Sequence, residues 1–130
     1  MAYYNRGDLY YFEGDSFAGT FGDRAAAIPD LTMVAELNSK DWTGLIAKGA
    51  IALEQNHAQA ALNYFNQAAN LGADPVDYGK YRGLAYKKLG QRSAAITEWQ
   101  KASEISNKRR YRKDSAILQM LMKSIWNGNN

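Results

Sequence analysis

The chain has 130 residues, long enough for one domain with its own core, and its 46% hydrophobic and 22% charged content is that of a folded protein. Without cysteine it has neither a disulfide framework nor a thiolate metal site, and no run approaches the ~18–20 apolar residues of a membrane span. The net charge of +3 hides an asymmetry: residues 1–79 carry 4 basic and 10 acidic side chains and residues 80–130 carry 12 and 3, a contrast that bears on partners rather than on fold.

The N-terminal Met1–Asp8 has no basic region followed by an apolar core, so no signal peptide is expected. A cytoplasmic location is the expectation, although the lack of cysteine fits the periplasm equally well. A first helix is predicted from Tyr3 to about Glu13, ended by Gly14-Asp15. The glycine-rich stretch Gly14–Asp23 reads as a loop. Pro29 complicates the next element, because a proline inside a helix costs about 3 kcal/mol. Either a kinked helix from Arg24, or a turn and a helix starting near Pro29, ends near Asn38. Ser39 or Asp41 then caps a helix over Trp42–Glu54. After the turn Gln55-Asn56-His57, a helix over Ala58–Leu71 sets Ala61, Leu62, Phe65, Ala68 and Ala69 at spacings of three and four, which gives one inward stripe. Gly72 and Pro75 stop one helix and start the next, Pro75–Leu89. With Ser93 as candidate cap, a sixth helix reaches about Ser106, and a seventh spans about Arg110–Trp126.

One pattern is written twice. Gly49, Ala61, Phe65 and Ala68 recur as Gly83, Ala95, Trp99 and Ala102, each 34 residues on. Four matched offsets of this length mark a stacked repeat architecture. Small residues where two helices cross, with a bulky residue one turn from another small one, resemble the tetratricopeptide repeat (TPR) family. Gly49, Ala61, Phe65 and Ala68 match its motif, and Gly83, Tyr86, Gly90, Ala95, Trp99 and Ala102 match it more fully. Ala52 stands where the family prefers tyrosine and Asn56 where it prefers glycine; Pro75 comes two residues late, and the third repeat has no closing proline. Tyr4, Asn5, Gly7, Tyr10, Tyr11, Gly14 and Asp15 resemble a further first helix, displaced by eight residues that fall in the 14–23 loop.

The resemblance implies an all-α fold: a right-handed superhelical array of antiparallel helix pairs, about seven helices in one domain. Repeat one covers about residues 3–38, repeat two about 42–72 and repeat three about 75–106, with a capping helix over about 110–126. It also implies a concave groove that binds a peptide or a partner subunit. The lining would be Tyr4, Asn5, Asp8, Tyr11 and Phe12, then Thr43, Ile46, Ala47, Ala50 and Leu53, then Asp77, Lys80, Tyr81, Leu84 and Lys87. The TPR subclass that clamps a chaperone's C-terminal carboxylate is not expected, because the clamp positions read Tyr4, Asp8, Ala47, Asp77 and Tyr81, without its donors.

Lys108, Arg109, Arg110, Arg112 and Lys113, around Tyr111, form the sharpest charge cluster. It suits an anionic partner, either an acidic protein surface or nucleic-acid phosphate, or else is a solvated inter-helix segment. Arg6-Gly7-Asp8 spells an integrin-binding tripeptide, but its place in a predicted helix makes it a coincidence. His57 is the single histidine and has no carboxylate at ligand spacing. No nucleophile elbow, phosphate loop or paired-carboxylate signature occurs. The expectation is a protein-interaction scaffold that is not an enzyme, with no cofactor and no metal. The alternatives are head-to-tail self-assembly of oppositely charged halves and a nucleic-acid role through residues 108–113.

Overall fold

The computed structural model describes residues 22–126, and all of the regular structure among them is helical. Six helices follow one another: α1 (Gly22–Leu37), α2 (Trp42–Glu54), α3 (Ala58–Asn70), α4 (Pro75–Lys88), α5 (Arg92–Arg109) and α6 (Arg112–Trp126). Each packs on its neighbours in sequence, and α2 also touches α4. The expected first helix, Tyr3–Glu13, lies outside the described residues, as does the 14–23 loop apart from Gly22 and Asp23, which open α1.

α1 runs unbroken through Pro29. The proline forfeits one intrahelical hydrogen bond, but Leu31 and Val34 just beyond it are fully buried. Their burial contributes about 1.5–3 kcal/mol each, enough to offset a proline in the helix interior. Of the two paths expected here, the helix from Arg24 through Pro29 is close to what forms, and a helix starting near Pro29 is not seen. A difference from expectation lies at the start of α5. Ser93 is inside the helix, and the cap position is Gln91, whose side chain makes no capping bond.

α2 and α4 start alike. Asp41 accepts hydrogen bonds from the backbone N–H of Thr43 and Gly44, and Asp74 accepts one from Val76, with Pro75 in the first turn. The helices from α2 to α5 also stop alike. A left-handed residue, in turn Asn56, Gly72, Gly90 and Arg110, ends each one. Immediately after it a backbone N–H reaches back five residues: His57 to Ala52 (2.8 Å), Ala73 to Ala68 (3.0 Å), Gln91 to Tyr86 (2.8 Å) and Tyr111 to Ser106 (3.0 Å). Asn56 and Gly90 are 34 residues apart, so asparagine, which tolerates this conformation better than most residues, stands in for glycine at the matching turn.

The pairs α2–α3 and α4–α5 cross by the same device. A Cβ on Gly49 would collide with the Phe65 ring, and a Cβ on Gly83 with the Trp99 indole. Phe65 and Trp99 are wholly buried, as are Ala61, Ala68 and Ala95, with Ala102 nearly so. The Trp99 indole N–H donates to the Lys80 carbonyl (3.1 Å), which satisfies its buried polar atom. Gly79 faces Ala102, and Gly83 faces Trp99, so α4 and α5 run antiparallel. Between the pairs, Phe65 on α3 stacks on Tyr81 of α4 with centroids 5.5 Å apart. α6 runs parallel to α4, linked by Lys80 to Asp114 (2.8 Å) and by Lys87 to Ser124 (3.0 Å).

Candidate partner-binding surface

The groove positions expected from the sequence do not form an open surface among the described residues. Ile46, Ala47, Ala50, Leu53 and Tyr81 are fully buried, Lys80 and Leu84 nearly so, and Thr43 is buried. The apolar ones belong to the continuous core. The physical reason is neighbourhood. α2 has α1, α3 and α4 around it, and its small apolar residues let all three close in. Asp77 and Lys87 keep partial exposure. Tyr4, Asn5, Asp8, Tyr11 and Phe12 lie outside the described residues.

The polar side chains of α4 bind the helices together. The Lys80 ammonium, 1% exposed, is held by Asp114 in the first turn of α6, where a carboxylate also favours the helix dipole. Arg82 joins three helices. It donates to Glu98 on α5 (2.7 Å) and Asn66 on α3 (3.1 Å) and lies 4.8 Å from the Tyr78 ring centroid. No sequence motif marks these contacts, although the 34-residue spacing of Lys80 and Asp114 places them on successive equivalent helices.

The basic cluster is different. Lys108, Arg109, Arg110, Tyr111, Arg112 and Lys113 are all exposed, at the turn between α5 and α6. That turn is well tied. The Ser106 hydroxyl donates to the Tyr111 carbonyl (3.0 Å) and accepts from the Ser115 hydroxyl (2.6 Å), which also lies 2.8 Å from the Asn107 Oδ1. Arg109 is engaged, donating to Asp74 at the start of α4 (2.7 Å) and lying 5.7 Å from the Tyr111 ring centroid. The Asp74 hydrogen bond raises the Arg109 guanidinium above its already high pKa, so its charge is permanent. Among the described residues, Lys108, Arg110 and Arg112 make no ion pair.

His57 sits at the start of α3 without a capping bond, and no group of three metal-ligating side chains gathers among the described residues. No described helix is long and apolar enough to cross a membrane. In comparison with known proteins, the chain matches no family model, no curated protein and no solved structure.

Proposed function

We propose that this chain is a non-catalytic protein-interaction scaffold of the TPR type, a superhelical stack of helix pairs that holds a peptide or partner subunit. The observation that supports this most is the duplicated crossing, Gly49 on Phe65 and Gly83 on Trp99, together with matched caps and turns. A repeat of this kind makes a stiff stack whose exposed surface is set before any partner arrives, so little ordering cost falls on its side of the interface. Because the inner positions of α2 and α4 are packed into the core, the partner engages the exposed turns and edges rather than a deep groove.

Native mass spectrometry of the full chain, purified gently from its own cells, tests the reading. A stoichiometric complex with another protein, re-formed from the separated components, supports it. A bare monomer at micromolar concentration, or a complex with nucleic acid alone, overturns it. An integer multiple of the chain's own mass transfers the reading to self-assembly.

A further inference from the structure

α3 and α5 occupy matching places in the two pairs and start 34 residues apart, at Ala58 and Arg92. They share a mode of termination but do not end at matching positions. α3 stops at Asn70, whereas α5 runs on to Arg109, five residues beyond the matching position. The repeat is therefore broken by more than one additional helical turn, and the cations sit on that extension and the turn after it. The core accounts only for the first part of this extension: Ser106 is fully buried, whereas residues 107–113 are all exposed.

The extension is also held in shape. Arg110 takes the left-handed conformation, which disfavours a non-glycine residue, and hydrogen bonds through Ser106 and Ser115 fix the chain on both sides of it. Arg109 is committed to Asp74 and to the Tyr111 ring. Lys108, Arg110 and Arg112 alternate with these engaged residues and have no acidic partner among the described residues. Tyr111, in their midst, is 44% exposed.

We propose that the α5–α6 turn is a docking point for an acidic segment of a partner protein, whose carboxylates pair with Lys108, Arg110 and Arg112 while an apolar side chain rests against Tyr111. The inference builds on the scaffold reading and supplies the chemistry of its partner. Charge complementarity carries it: three cations that make no ion pair among the described residues sit on one tied turn and match a short run of Asp or Glu, and the aromatic between them provides area at low entropic cost. Nucleic acid fits less well. A phosphate-tracking surface makes about 6–10 backbone contacts. Here Lys80, Arg82 and Arg109 are already committed to Asp114, Glu98 and Asp74.

Fluorescence anisotropy of the full chain tests this, with a labelled peptide of about ten residues rich in glutamate, its glutamine counterpart, and a short DNA duplex and RNA strand as competitors. The glutamate peptide should bind and weaken with salt, and the glutamine peptide should not. The triple variant Lys108→Gln, Arg110→Gly, Arg112→Gln should bind about tenfold or more weakly, as three exposed charge contacts of ~0.5 kcal/mol each imply. Glycine suits the left-handed site, so this variant should melt no lower than the parent. Lys88→Gln with Lys101→Gln, exposed lysines elsewhere, should change binding less than twofold. Equal losses in the two variants, no peptide binding, or DNA or RNA bound more tightly than the peptide each overturn the docking point. If native mass spectrometry finds a protein partner that the triple variant still binds fully, the scaffold reading stands and this inference falls.

Discussion

At Gly83 the space that a side chain would occupy is filled by the Trp99 indole, and at Gly49 by the Phe65 ring. Both rings are wholly buried and cannot swing away, and Trp99 is further held by its bond to the Lys80 carbonyl. Gly83→Ala and Gly49→Ala should therefore each destabilise by about 1–3 kcal/mol, the usual cost of overpacking, measured by urea denaturation. Gly90 poses the opposite case. Nothing lies within reach of an added Cβ, but its φ of 79° disfavours any side chain. Gly90→Ala should cost about 1 kcal/mol through backbone strain alone. Asn56→Gly, at the matching turn, should leave stability unchanged or raise it by up to about 1 kcal/mol. A lower melting temperature for Asn56→Gly would show that the asparagine side chain contributes more than conformational tolerance.

Among the elements, α6 is held by apolar and polar contacts together. It buries Ile117, Leu118 and Leu121 and reaches α4 through two lysine side chains. The Lys80 ammonium is almost fully buried, whereas Asp114 keeps 25% of its side chain exposed. Removing the carboxylate takes an ion-pair partner from a buried cation, so Asp114→Ala should cost about 2–3 kcal/mol. Lys80→Met leaves only a partly hydrated carboxylate behind and should cost less, about 1 kcal/mol or under. A double-mutant cycle by thermal melts checks the asymmetry, and equal single-mutant losses would sink it. The boundaries of α2, α3 and α4 were legible to within a residue, because caps, glycines and a clear apolar stripe agree there. At Pro29 the sequence left two paths open, and burial of Leu31 and Val34, a tertiary effect, favours the helix that runs through the proline.

At the scale of the whole molecule, the stack is held by neighbour contacts, so stability should fall from the middle outward. Hydrogen exchange should show the strongest amide protection in α2 to α5 and earlier opening in α6, which has α5 as its main packing partner. Uniform protection from α2 to α6 would mean that the last helix is bound more firmly than its contacts suggest. Of the ion pairs among the described residues, Lys80 with Asp114 and Arg82 with Glu98 lie within the basic half and leave its net charge unchanged, and Arg109 with Asp74 joins it to the acidic half. Among the described residues, Lys108, Arg110 and Arg112 are exposed cations without an ion pair, gathered at the α5–α6 turn.

The sequence by itself determined the helical class, the 34-residue pairing and the residues at both crossings, because these follow from local spacing and from glycine set opposite an aromatic residue. Only the tertiary structure decided which polar residues remain free to act. Lys80 and Tyr81, read as groove residues, are buried by helices that the sequence could not place around them. Arg109, one of five cations in a single run, is claimed by an aspartate 35 residues away, while Lys108, Arg110 and Arg112 make no such pair among the described residues. Burial and ion pairing depend on contacts between distant parts of the chain, and a local sequence pattern carries no record of them.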